Sequence, residues 1–237
     1  MEIDVQAKPR SDTFRPVASP WHTVVVLAVI GALVLRGKLR VEQMRAIVNP
    51  DRITIYERTI LLEWLVLGVV LLGVWLSGSS LFTVLGDRWR SARQFFRDAG
   101  IGLLFLIASI MVTSVVGSHG GTHGGVGDKA TGFLLPQGGA EMVFWVVLSI
   151  TAGICEEAVY RGYLQKQFMA LTKSVPAGIV LSALAFGAAH SYQGFARASV
   201  IGLLGAMGGI LAYWCRSVRP GMISHTLQDV LGGFVRH

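Results

Sequence analysis

Two adjacent glutamates follow a long apolar run in the stretch GICEEAVYRGYLQ, residues 153–165. They are Glu156 and Glu157, and Arg161 comes four residues after the second of them. Residues four apart share a face of a helix, so Arg161 can pair with Glu157 and neutralise it. Glu156 then has no cation on its own face, which it shares with Tyr160. A carboxylate held in a poorly solvated site suits a general base that takes a proton from water.

Two further polar pairs occur later in the chain. His190 ends the sequence FGAAH, four residues after Phe186, and His225 precedes Asp229 by four residues in HTLQD. If both segments are helical, each pair lies on one face. Together with the glutamates, these residues could catalyse a reaction, relay protons in a transporter, or hold helices together by hydrogen bonds. Their types and spacing favour catalysis and leave the other two interpretations open.

The elements that carry these residues are predicted to lie in a membrane. Hydrophobic residues make up 52% of the 237 residues and charged residues 15%, and the mean hydropathy is +0.56. A soluble domain usually has about 25% charged residues. The net charge of +7 arises from basic residues in short links between apolar runs, where Lys and Arg set topology and meet lipid headgroups. The composition therefore predicts contact with a lipid bilayer and no binding to nucleic acid.

Seven apolar runs predict an all-α membrane helix bundle of about seven transmembrane helices. A spanning helix needs about 20 apolar residues, and four runs reach or approach this length: 17–35, 60–82, 99–117 and 198–215. In these runs the polar residues Glu63 and His22 are expected near the ends. The other three runs, 142–155, 175–189 and 218–235, contain members of the polar set or need them to complete a span. A charge at the centre of a membrane helix costs about 2.5–3.5 kcal/mol, so such residues usually mark a functional site inside the bundle.

We expect a polar N-terminal tail at residues 1–16 and a single membrane domain at residues 17–237. The N-terminus lacks the basic start and the small-residue cleavage site of a signal peptide, so the first span is expected to be retained. The cysteines, Cys155 and Cys215, are interpreted as small buried residues at the ends of apolar runs. A glycine-rich stretch carries His119 and His123 at a spacing that could bind a metal, but a connector is favoured.

The polar residues form three motifs in order along the chain: E-E-x-x-x-R at 156–161, F-x-x-x-H at 186–190 and H-x-x-x-D at 225–229. This ordered set resembles the CPBP (Abi) family of CAAX prenyl endopeptidases and bacteriocin-processing or immunity-associated membrane proteins. The resemblance places the catalytic core at about residues 140–235. It implies a multi-pass intramembrane glutamic endopeptidase, a hydrolase of the cell membrane that acts on a peptide or membrane-protein substrate. Glu157 and Arg161 would maintain the shape of its site.

The resemblance also implies roles for the other polar residues. Glu156 and His190 would activate a water molecule, and His225 would stabilise the oxyanion of the tetrahedral intermediate. The prenyl endopeptidases carry Asn at the position of Asp229. An ionised aspartate would repel an oxyanion, so Asp229 is either protonated or has another role. An oxyanion donor contributes about 2.7–4 kcal/mol, so His225 should matter strongly to the rate.

Two alternatives to a protease without a metal cofactor stay open. A zinc-dependent membrane protease could use the same Glu and His side chains and keep a water at the metal. The chain has no H-E-x-x-H motif, however, and its candidate ligands are spread over three predicted helices. The other alternative is a non-catalytic membrane scaffold or immunity protein. Such a protein would usually have lost a motif residue, whereas this chain has them all, so we favour an enzyme that needs no cofactor.

Overall fold

The structure is a computed structural model that describes residues 14–119, except 46 and 48, and residues 132–234. All regular elements in these residues are helical, which confirms the predicted all-α class. The α-helices are α1 (Pro20–Arg45), α2 (Arg52–Leu76), α3 (Phe82–Leu85), α4 (Ala92–His119), α5 (Gly139–Glu156), α6 (Gln165–Thr172), α7 (Val175–Ala189), α8 (Phe195–Cys215) and α9 (Arg219–Gly232). A π-helical segment, Glu157–Leu164, joins α5 to α6, and 3₁₀ turns occupy Gly132–Leu134 and Ser191–Gln193. The His119 side chain, His123 and the predicted tail up to residue 13 lie outside the described residues.

Four helical segments of the described chain are long and apolar enough to cross a membrane. They are α2, α4 as far as Val116, the continuous unit Gly139–Thr172 and α8, with mean hydropathies between 1.7 and 2.4. Only 17–39% of each apolar window is buried inside the protein. The rest forms an apolar surface that suits hydrocarbon rather than water. The chain is therefore a membrane protein, as its composition predicted.

Helix α2 begins at Arg52 rather than near residue 60, because its first turn is polar and capped. The Asp51 carboxylate accepts hydrogen bonds from the Thr54 backbone N–H at 3.1 Å and from its hydroxyl at 2.7 Å. These bonds cap the helix start, and they lower the pKa of Asp51. The earlier start places Glu63 near the middle of this 25-residue helix. The expectation that Glu63 lies near the end of its span was wrong.

The π-helical segment forms the buried centre of the bundle. All eight of its residues are buried, and it packs against α2, α3, α7 and α8 as well as its flanking helices. The wider π turn leaves the Tyr160 carbonyl to accept from the Gln165 backbone N–H. The Ser182 hydroxyl on α7 also donates to that carbonyl, at 2.7 Å. Short π segments occur often at functional sites, and this one begins directly after Glu156.

Close packing of α5 against α9 brings their polar residues together. Gly153 on α5 has no side chain, and a Cβ there would lie 2.1 Å from the Thr226 hydroxyl oxygen and 2.9 Å from the Thr226 backbone nitrogen. Any larger residue would therefore push α9 away, which is why small residues recur where membrane helices touch. Trp145 on α5 donates to the Asp229 carbonyl of α9 at 2.9 Å and fixes the same pair of helices.

Candidate active site

The ends of three elements bring Glu156, His190 and His225 together. Glu156 is the last residue of α5, His190 follows α7 directly, and His225 lies in α9. One oxygen of Glu156, Oε1, is 4.0 Å from Nε2 of His190, and the other, Oε2, is 3.7 Å from Nε2 of His225. These distances are too long for direct hydrogen bonds and suit a bridging water molecule. The three side chains are only 14–18% exposed, so the carboxylate faces a pocket between helices rather than lipid.

His190 is held with one ring nitrogen toward Glu156. Its Nδ1 lies 2.9 Å from the Phe186 carbonyl oxygen, one turn earlier on α7. A carbonyl can only accept, so Nδ1 carries the hydrogen. In the neutral ring, Nε2 then presents a lone pair toward the Glu156 carboxylate. The Phe186 ring packs against His190 at 4.8 Å and against Tyr160 at 4.9 Å between ring centroids, which fixes the imidazole plane.

Glu157 and Arg161 form a buried ion pair, as their spacing predicted. Nη1 of Arg161 is 3.0 Å from Oε1 of Glu157, and the two side chains are 4% and 5% exposed. The contact is mainly electrostatic, since among the described residues Nη1 makes no hydrogen bond of good geometry. The guanidinium also stacks on the Phe186 ring, 4.2 Å from its centroid. A Cβ at Gly221 would lie 2.6 Å from Oε2 of Glu157, so a glycine is required there for the carboxylate to fit.

His225 lies between three carboxyl groups. Its Nδ1 is 3.3 Å from Oε1 of Glu157. On the other side of the ring, Nε2 is 3.5 Å from Oδ2 of Asp229 and faces Glu156. Glu157 therefore accepts from the imidazole and contacts Arg161 with the same oxygen. The role predicted for Glu157 was to maintain the shape of the site; its contacts with His225 and Arg161 are compatible with that role, which stays a prediction.

A comparison of the sequence with family models matches the part of the chain that contains these residues. Residues 138–231 match the model described as type II CAAX prenyl endopeptidase Rce1-like. This segment is similar to Rce1-like domains, and residues 138–231 are called the Rce1-like domain below. Searches of curated proteins and of solved structures found no match. The match confirms the resemblance to CAAX endopeptidases. It indicates a membrane protease of the CAAX type, which is a hydrolase with peptide or protein substrates.

The Rce1-like domain begins just before α5 and ends within α9, so it contains all six predicted site residues. They are Glu156, Glu157, Arg161, His190, His225 and Asp229. Of these, Asp229 has the most open side chain, at 36% exposure. Its backbone carbonyl accepts a hydrogen bond from Trp145 on α5.

One acidic residue of the site comes from outside the Rce1-like domain and was missed by the sequence analysis. Glu63 on α2 interacts electrostatically with Glu156, His225 and Asp229, and its carboxyl group is within hydrogen-bonding reach of that of Glu156. The buried residues of α2 include Tyr56, Leu67 and Val70. Glu63 is seven residues after the first, four before the second and seven before the third, so it shares their face. An acid on the buried face of a span was the signal that could have identified it.

The described residues contain no group of three or more His, Cys, Asp or Glu side chains arranged to hold a metal ion. The cysteines are both free. Cys155 is fully buried, as predicted, whereas Cys215 is only partly buried at the end of α8, so the expectation of burial was wrong for Cys215.

Proposed function

We propose that this protein is a multi-pass intramembrane glutamic endopeptidase of the cell membrane, in which Glu156 activates the water that attacks a peptide bond. The observation that carries the proposal is the position of the Glu156 carboxylate between two imidazole nitrogens, at 3.7 and 4.0 Å. A water molecule placed among these atoms can donate one hydrogen to the carboxylate and the other to the free Nε2 of His190. Both acceptors then orient the water oxygen toward a substrate carbonyl.

The first chemical step forms the bond between the water oxygen and the carbonyl carbon. Glu156 takes the proton that the water loses, and the π electrons of the carbonyl move onto its oxygen. The resulting oxyanion needs a donor, and a protonated Nε2 of His225 lies on the opposite side of Glu156 from His190. Because Glu157 accepts from Nδ1, the imidazole keeps the orientation in which Nε2 faces the pocket.

The second step breaks the bond between carbon and nitrogen. Glu156 passes the proton taken from water to the leaving amine, the oxyanion re-forms a carbonyl, and the carboxylate is regenerated. Asp229 supports the oxyanion in its protonated form, because a carboxylic acid donates a hydrogen bond where a carboxylate would repel. Its position 3.5 Å from Nε2 of His225 suits this role.

The test uses the purified protein in lipid vesicles and an internally quenched peptide that ends in a farnesylated Cys-a-a-X sequence. The same peptide without the farnesyl group shows whether the lipid is required. We expect Glu156→Gln, which keeps the shape of the side chain but removes the base, to lower kcat about 10²–10⁴-fold. Glu57→Gln is the matched control, since Glu57 is an exposed acid of α2. A wild-type rate for Glu156→Gln would refute the proposal.

Two further outcomes separate this mechanism from its alternatives. Activity that is lost with a strong chelator and restored by zinc would replace the metal-free reaction with a zinc-dependent one that uses the same residues. A cellular phenotype that depends on the protein but is unchanged by Glu156→Gln would indicate a scaffold or immunity role.

A further inference from the structure

An acidic residue near the middle of a membrane helix needs an explanation in this protein. Glu63 lies on the buried face of α2, and a charged residue at such a depth costs about 2.5–3.5 kcal/mol on insertion. The fully buried residues of this helix are mostly apolar, and the half-buried Glu63 lies on the same face. Among the residues that the structure describes, no ion pair of Glu63 with Lys or Arg occurs. Its neighbours are instead the reactive groups of the Rce1-like domain.

Glu63 interacts electrostatically with titratable groups on four neighbouring elements. On α5, the π segment, the 3₁₀ turn after α7, and α9, these groups are Cys155, Glu156, Tyr160, Tyr192, His225 and Asp229. The carboxyl group of Glu63 lies within hydrogen-bonding reach of that of Glu156. Two carboxylates have only acceptors, so a hydrogen bond between them requires a proton on one of the two groups. Oε2 of Glu156 is buried and has no hydrogen-bond partner among the described residues, so it is free to accept from a protonated carboxyl group.

We propose that Glu63 is a positioning residue of the protease: its carboxylic acid donates a hydrogen bond to the Glu156 carboxylate and holds it in the orientation that activates water. This inference rests on the proposed function, because it assigns the base role to Glu156. Two carboxyl groups that share one proton divide the roles of acid and base between them, since both cannot ionise at short range. Here Glu63 keeps the shared proton, which leaves Glu156 as the base.

The bond from Glu63 also directs the proton that Glu156 takes from water. It occupies one oxygen of Glu156, so the incoming proton goes to the other oxygen. From there the proton reaches the leaving amine, and Glu63 retains its own proton through both steps. No co-reactant is needed, and the site returns to its starting state after each turnover.

The test compares two replacements at position 63 in vesicles with the quenched farnesylated peptide. Glu63→Gln keeps a hydrogen-bond donor in almost the same place, whereas Glu63→Leu removes it and inserts into a bilayer more easily than Glu. We expect Glu63→Leu to lower kcat at least about 10-fold with KM within about twofold of the wild type, since its effect is on the base and not on substrate binding. Glu63→Gln should keep at least about a third of the wild-type kcat.

The exposed acid on the same helix provides the control. Glu57→Leu and Glu57→Gln should both leave kcat and KM unchanged. An unaltered kcat in Glu63→Leu would overturn the proposal, and so would an equal loss in Glu63→Gln and Glu63→Leu. If Glu156→Gln is inactive in the same assay while Glu63→Leu is normal, only this inference fails. If Glu156→Gln is active, the proposed function itself fails.

An infrared measurement without substrate tests whether the carboxyl group of Glu63 is protonated. The infrared difference spectrum between the wild type and Glu63→Leu at neutral pH should contain the C=O band of a protonated carboxyl group. The same band should appear in the difference spectrum between the wild type and Glu63→Gln, because glutamine has no carboxyl group, although that variant keeps its activity. A difference spectrum with carboxylate bands alone would place Glu63 in its ionised form and would overturn the donor assignment.

Discussion

Replacing Arg161 by alanine should destabilise the folded protein strongly, because it leaves the buried Glu157 without its cation. The Glu157 side chain is 5% exposed, so water cannot take the place of the guanidinium. Removing one partner of a buried ion pair costs about 3–5 kcal/mol. For a chain of this size, 1 kcal/mol shifts Tm by about 2–4 °C. The expected fall in Tm is therefore about 6–20 °C, before the loss of the contact with the Phe186 ring is counted.

The assay is thermal unfolding of the purified protein in detergent, followed by a fluorescent label on the free cysteines. Four proteins form a double-mutant cycle: wild type, Arg161→Ala, Glu157→Gln and the double variant. Since the double variant has no stranded charge, it should be more stable than Arg161→Ala alone. Arg58→Ala, which removes an exposed arginine of α2, controls for the loss of a cation and should change Tm by less than about 2 °C.

Two results would refute the reasoning about the pair. One is an unchanged Tm for Arg161→Ala, which would mean that Glu157 is solvated or neutral in the folded protein. The other is a double variant whose loss of stability equals the sum of the two single losses. Additivity of that kind is the behaviour of residues that do not interact, and it is incompatible with a contact of 3.0 Å between buried charges.

Substitutions at three positions test the roles in the site by their kcat on the quenched peptide. Glu157→Gln should lower kcat less than Glu156→Gln does, because Glu157 acts through His225 and not on the water; the reverse ranking would exchange their roles. His225→Ala should lower kcat about 10²–10³-fold, as expected for an oxyanion donor, and a loss below about 10-fold would assign the oxyanion to another group. Asp229→Asn should stay within about threefold of the wild type, because the amide donates as the protonated acid does, whereas Asp229→Leu should lose at least about 10-fold; equal losses would show that Asp229 does not act as a donor.

The sequence was sufficient to predict the contacts that depend on local spacing. The pairing of Glu157 with Arg161 needs only a turn of helix, and the apolar runs identified the elements that carry both histidines. Glu63 was missed because residues 52–59, RITIYERT, contain three charged residues and look like a polar link. The apolar run therefore seemed to begin at residue 60, with Glu63 beside its start. The Asp51 cap extends the helix through that polar stretch, which a measure of hydrophobicity does not detect.

The π-helical segment could not be predicted from the sequence, because the spacing of polar and apolar residues indicates a helix but does not distinguish a π turn from a turn of 3.6 residues. A π turn has weak local preferences and persists only where its surroundings satisfy it. Here the surroundings are tertiary: the Ser182 hydroxyl donates to the Tyr160 carbonyl, and Gln165 donates to the Gly209 carbonyl at 2.9 Å. These partners lie up to 44 residues away in the chain. The periodicity of the sequence gives no information on hydrogen bonds between distant residues, so the π turn could be identified only in the folded structure.

Two parts of the chain contribute to the candidate site. The hydrogen-bond partners of the π segment come from one part, and Glu63 on α2 comes from the other. Ser182 and Gly209 lie inside the Rce1-like domain, residues 138–231, so this domain supplies both the six predicted site residues and the contacts that hold the π segment. Glu63 reaches the site from α2, which packs along α5 and the π segment. The domain alone would therefore contain Glu156 without the carboxyl group that holds it. If Glu63 is the donor, the base becomes fully oriented only when α2 has packed against the domain, and the N-terminal half of the protein is then part of the catalytic unit.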